Sequence, residues 1–109
     1  MAKLDTNIQK VIDLIRDGNS WCREWESQKL SGEKCNFDDT EAKKWCLIGA
    51  MMKVAGQATE DYFAMYNLFR SQIQNVSHFN DTSKHKDVIK FLEGCLALAK
   101  AHPEKAKAA

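Results

Sequence analysis

The sequence predicts an all-α fold: four helices around a buried central one, with an irregular strap or short β-hairpin between helices 1 and 2. Two observations carry this. The first is the stretch Glu41–Gly56, E-A-K-K-W-C-L-I-G-A-M-M-K-V-A-G, which holds no charge from Trp45 to Met52. A surface helix would leave a wide polar stripe there. The second is the recurrence of apolar residues at helical spacing before and after it: Leu4, Ile8, Val11, Ile12 and Ile15, then Tyr62, Tyr66, Phe69, Ile73 and Val76, then Val88, Leu92, Cys95, Leu96 and Ala99.

Taken in order, the elements follow from local signals. Helix 1 spans 4–17, polar on its far side through Gln9, Lys10, Asp13 and Arg16, and stopped by Gly18-Asn19. Residues 20–37 form the strap. Trp21 and Trp25 suit a helix face by spacing and a strand by alternation with Arg23, and Ser31-Gly32 reads as a turn. The central helix covers 40–55, with Asp38, Asp39 or Thr40 as its cap, Glu41 in its first turn and Gly56 at its end. Gly49 costs about 1 kcal/mol inside a helix, which makes sense where another backbone approaches closely. Helix 3 covers 60–76 behind Thr59. His78-Phe79-Asn80-Asp81-Thr82-Ser83 reads as a polar loop, and helix 4 covers 84–101, capped by Thr82 or Ser83 and ended by His102-Pro103. The tail 102–109 is expected to fray.

Length and composition bound the rest. The 109 residues suit one domain, 1–109. Sixteen Lys and Arg against fifteen Asp and Glu leave a net charge of +1, which disfavours a dedicated nucleic-acid binder. No apolar run is long enough to span a bilayer. The opening Met-Ala-Lys-Leu-Asp passes directly into helix 1 and shows no signal peptide, so the expected compartment is the cytoplasm, with reduced cysteines.

The residues with reactive chemistry are Cys22, Cys35, Cys46, Cys95, His78, Asn80 and Asp81. No C-x-x-C pair marks a zinc site, so no metal or cofactor is expected and the thiols read as small buried hydrophobes. A nucleophile, base and orienter drawn from Cys46 or Cys22 with His78, Asn80 and Asp81 lacks a glycine-rich anion loop or a strand–turn–helix elbow. Asn80 and Asp81 read instead as turn formers and Phe79 as a core plug. In the strap, an exposed tryptophan beside Arg23 and Lys29 has the composition of a binding hot spot. This makes Trp21, Arg23, Trp25 and Lys29 the candidate contact surface.

Three segments in combination carry a resemblance: Trp21-Cys22 after an amphipathic helix, then Trp45-Cys46-Leu47-Ile48-Gly49-Ala50, and Phe79-Asn80-Asp81 before a final helix D-V-I-K-F-L-E-G-C-L-A-L-A-K. From about Ile8 to Lys100 the chain resembles an uncharacterised family of short bacterial and phage proteins, a domain of unknown function whose members read W-C, then W-C-x-x-G-A, then W-N-D. Phe79 replaces the usual tryptophan, Lys84 stands where a capping threonine is common, and the segment from Gln57 to Phe69 matches only in helical character. The resemblance implies context and no catalytic residues: a small intracellular protein, often from phages or prophages.

The functional expectation is therefore a non-enzymatic module that binds another protein, in phage context a modulator of a host or defence system such as an anti-CRISPR. The alternative is a small-molecule or nucleotide binder, with weak hydrolytic chemistry, built on Trp21, Cys22, Cys46, His78, Asn80 and Asp81. A nucleic-acid binder using Lys84, Lys86 and Lys90 is the third reading. An apolar side of helix 3 leaves room for a homodimer.

Overall fold

The computed structural model describes residues 3–101. Along the chain lie α1 (Leu4–Ile15), a 3-10 turn (Gly18–Ser20), β1 (Ser27–Lys29), β2 (Lys34–Cys35), β3 (Ala42–Trp45), α2 (Leu47–Ala55), α3 (Glu60–Gln72), α4 (Val76–Thr82) and α5 (His85–Ala101). The fold is mixed. Five α-helices accompany a three-stranded antiparallel sheet of order β2-β1-β3, and α2 is the helix packed on β3, which overturns the all-α, four-helix expectation. The expected fraying of 102–109 and the stop at His102-Pro103 lie outside the described residues.

The largest correction concerns the segment expected as a single central helix over 40–55. Its first part is β3, where Ala42 and Trp45 face inward while Lys43 is exposed. Trp45 pairs with Ser27, and Lys44 with Gln28. The helix itself starts at Leu47, capped by Cys46, whose Sγ accepts from Gly49 N at 3.3 Å. Asp39 caps no helix: its Oδ1 accepts from Glu41 N at 2.8 Å in a turn before β3. The strand wins because β1 offers a partner and because Gly49 lies against that strand's entry. An added Cβ on Gly49 would sit 1.7 Å from the Glu26 carbonyl oxygen, and Cys46 N donates to that same oxygen at 3.1 Å. A helix continuing back through Cys46 would carry the chain away from this contact.

A second correction falls on residues 78–83. They belong to α4, capped by Asn75, whose Oδ1 accepts from His78 N at 2.9 Å. The side chain of Thr82 donates back to His78 O at 2.8 Å. Polar residues crowd this short helix because only Val76 and Asn80 are buried. Helix 3 correspondingly stops at Gln72, with Ile73 extended, and α1 stops at Ile15.

Packing is shared between two helices. The inward stripe of α1 (Ile8, Val11, Ile12, Ile15) is fully buried and meets α2, α3 and α5. Helix α2 meets α1, α3, α4 and β3, burying Leu47, Gly49, Ala50, Met51 and Met52. Gly56 ends α2 at φ +90, a conformation that favours glycine, and donates to Met52 O at 2.7 Å. Thr59 then caps α3, accepting from Tyr62 N at 3.0 Å. The ring of Phe79 packs on Phe91 of α5, with centroids 4.9 Å apart.

Candidate functional site

Asn80 is the junction of three distant segments. Its side chain is buried, and its amide group is fully used. Oδ1 accepts from Trp21 Nε1 at 2.7 Å and from Leu47 N, in the first turn of α2, at 3.0 Å. Nδ2 donates to Cys22 O at 3.1 Å and to Asp81 Oδ1 at 3.1 Å. Asp81 Oδ1 in turn accepts from Glu24 N at 2.8 Å. One Asn-Asp pair on α4 thus fixes the backbone of the strap and the start of α2. Buried polar groups must be partnered in this way, since an orphaned one costs about 1–3 kcal/mol.

The tryptophans are placed with equal economy. Trp21 Nε1 goes to Asn80, Trp25 Nε1 to Cys35 O at 3.1 Å, and Trp45 Nε1 to Phe37 O at 3.1 Å. Trp21 lies against His85, with ring centroids 5.5 Å apart, and the Arg23 guanidinium sits 5.0 Å from its centroid. Arg23 also donates to Ser83 O. His85 Nε2, as donor, lies 2.7 Å from Ile15 O. Trp45 is buried, whereas Trp25 keeps 44% of its surface exposed.

All four thiols are buried and unpaired. Burial pushes the Cys22 thiol up to about 12, with Cys46 nearby adding to the rise and Lys44 opposing it. Burial also raises Cys46, against the lowering influence of the Gly49 and Ile48 amides. Burial alone pushes Cys95 up to about 12. Burial thus favours the unreactive, protonated form of Cys22, Cys46 and Cys95, since thiolate is the nucleophile and the metal ligand. Among the described residues, no group of three or more His, Cys, Asp and Glu is placed to hold a metal ion.

The residues singled out from sequence divide into groups. Cys46, Asn80 and Asp81 meet on the wall of a cleft of about 210 Å³, together with Glu24, Trp25, Glu26, Ile48, Met52 and Ser77. Trp21, Cys22 and His78 do not line it, and His78 is exposed on α4. On the candidate contact face, Lys29 Nζ is turned to Glu33 and Glu41, at 3.7 and 3.4 Å. Its ammonium pKa is raised, chiefly by the hydrogen bond to Glu41. Trp21 is engaged by Arg23 and Asn80, so Trp25 is the tryptophan that remains available. Its neighbour is Lys34, whose Nζ lies 5.2 Å from the ring centroid. Sequence reasoning missed Glu24, Glu26 and Lys34. The available signal was that Glu24 and Glu26 flank Trp25 in a strap too short to bury all three.

A second, shallower concavity of about 430 Å³ lies along α5, lined by Phe79, Phe91, Gly94, Cys95 and Leu98 among others. No helix among the described residues is long and apolar enough to cross a membrane. No known protein family, curated protein or solved structure matches the chain.

Proposed function

We propose that this protein acts by binding another protein through the surface carried by its 20–37 strap, and that it performs no reaction of its own. The observation that carries this reading is the contrast between Trp25 and the chemistry around it. Trp21, Cys22, Cys46, Asn80 and Asp81 are spent on holding the strap and α2 together. Trp25 is held by its indole N–H yet remains an exposed residue. A large, rigid, half-exposed aromatic on a fixed backbone is the residue type that dominates protein interfaces. Arg23 is exposed beside it in sequence, and Lys34 beside it in space.

The motif resemblance supplies the context: a cytoplasmic modulator of a host or defence protein, phage- or prophage-encoded and of the anti-CRISPR kind. The alternative, a small-molecule or nucleotide site, has the cleft at Cys46, Asn80 and Asp81 in its favour. At about 210 Å³ that cleft is smaller than the roughly 300–1,000 Å³ of drug-sized ligand sites. A homodimer through α3 has Phe63, 47% exposed, as its candidate contact.

The test is affinity capture from host lysate with the native chain and with Trp25→Ala. One dominant protein held by the native chain and lost by a still-folded Trp25→Ala supports the reading. A ligand-dependent rise in melting temperature across a metabolite panel, with no protein captured, favours the small-molecule alternative. Steeply salt-dependent retention of DNA or RNA favours the third reading.

A further inference from the structure

We propose that the cleft beside Trp25 receives an arginine side chain displayed by the partner protein. This rests on the protein-binding reading and names the chemistry of its contact. Two independent features point the same way. The lining of the cleft includes three acidic residues, Glu24, Glu26 and Asp81, beside the apolar Ile48 and Met52. The ion pairs among the described residues are Arg16–Asp13, Lys29–Glu33 and Lys29–Glu41, none of which uses Glu24, Glu26 or Asp81. The other feature is the indole, which already attracts a cation: Lys34 Nζ stands 5.2 Å from the Trp25 centroid.

Hydrogen bonding leaves these carboxylates capacity to spare. Asp81 uses Oδ1 for Glu24 N and Asn80 Nδ2, and Glu26 uses Oε2 for Phe37 N at 2.7 Å. Each keeps its second oxygen, and the side chain of Glu24 is exposed. Arg23 is occupied elsewhere, since it covers Trp21 and donates to Ser83 O. A guanidinium suits the geometry better than an ammonium does. Its plane stacks on an indole and its forked donors reach two carboxylate oxygens at once, while the methylene stem lies on apolar side chains. The volume, about 210 Å³, holds one side chain and no more than that.

The test uses defined probes and does not require the partner. Backbone and indole amide shifts are followed by NMR while a blocked pentapeptide, Ala-Ala-Arg-Ala-Ala, is titrated. Its counterpart with citrulline, equal in shape and uncharged, is run beside it, as is free L-arginine. The expected result is saturable movement of the Trp25 indole N–H and the Glu24 and Asp81 amides with the arginine peptide. Citrulline should bind at least tenfold more weakly, and Glu24→Gln, which removes charge without changing shape, should weaken the arginine peptide several-fold. Equal binding of the arginine and citrulline peptides, or shifts away from the cleft, overturns the proposal. Tighter binding of free L-arginine than of the peptide overturns the partner-borne source. If the peptide fails while lysate capture still depends on Trp25, this inference falls and the protein-binding reading stands.

Discussion

Replacing Gly49 with alanine tests the junction on which the fold turns. In the native chain an added Cβ falls 1.7 Å from Glu26 O and 2.6 Å from Glu26 C, where ordinary contact begins at 3.4 Å. The obstruction is backbone, so relief requires the entry to β1 to withdraw from α2 by well over 1 Å. That movement strains packing, at about 1–3 kcal/mol for overfilled cores. It also breaks the bond from Cys46 N to Glu26 O, and an unsatisfied buried group adds about 1–3 kcal/mol. Alanine returns about 1 kcal/mol in helix propensity. The net expectation is a loss of about 1–5 kcal/mol, centred near 3, and a central drop in Tm of roughly 10–20 °C for a domain of this size. Urea unfolding followed by tryptophan fluorescence and circular dichroism reads it. Gly94→Ala is the internal control: its Cβ meets nothing within 4 Å, so it should gain about 1 kcal/mol from propensity alone. A Gly49→Ala protein as stable as the native chain would refute the reasoning.

Three further predictions follow from the same contacts. Asn80→Ala leaves Trp21 Nε1, Leu47 N and Cys22 O without their partner and should cost about 3–5 kcal/mol; a double-mutant cycle with Trp21→Phe should return a coupling of about 1 kcal/mol or more, and additive losses would sever the link. Glu24 occupies the left-handed region at φ 71, so Glu24→Gly should stabilise by about 0.5–1 kcal/mol, the relief of Cβ strain less the glycine entropy, while weakening the arginine peptide. Stability should decline at alkaline pH through the thiols. Cys22 and Cys95 rise from 9.0 in the unfolded chain to about 12 when folded. Their contribution is whole below pH 9 and is lost as pH climbs towards 12. Cys95→Ala should therefore flatten the fall in urea midpoint between pH 8 and 10, and an unchanged slope contradicts the burial argument.

Much of the helical part was legible because it is written in local periodicity. The stripes of Ile8, Val11, Ile12 and Ile15, and of Val88, Leu92, Cys95 and Ala99, are each buried as spaced. Gly49 was legible as a site of close backbone approach, since its helix penalty demanded a reason, and Glu26 O is that reason. What escaped was non-local. Ala42–Trp45 extends a helical pattern in sequence, yet β1, with pairing partners Ser27, Gln28 and Lys29 well upstream, captures it as an edge strand. Polar character made 78–83 look like a loop because the one buried polar residue there, Asn80, draws its partners from residues 21, 22 and 47.

The site was legible by residue type and hidden in its geometry. Trp-Cys and Asn-Asp stood out, and both the architectural and the ligand readings drew on them. The structure brings Cys46, Asn80 and Asp81 to one cleft and turns His78 away on the surface. Glu24 and Glu26 were signalled only by their places either side of Trp25, and an acidic residue in a polar strap is ordinary until a cleft forms between it and α2.

The Trp-Cys pairs serve as structure, and thiol labelling of the native protein tests that most directly. At neutral pH, with an excess of an aromatic disulfide reagent and mass spectrometry to assign sites, Cys22 and Cys46 should label only as fast as the protein unfolds globally. Labelling of either within seconds under native conditions would show an accessible, ionised thiol and contradict the account.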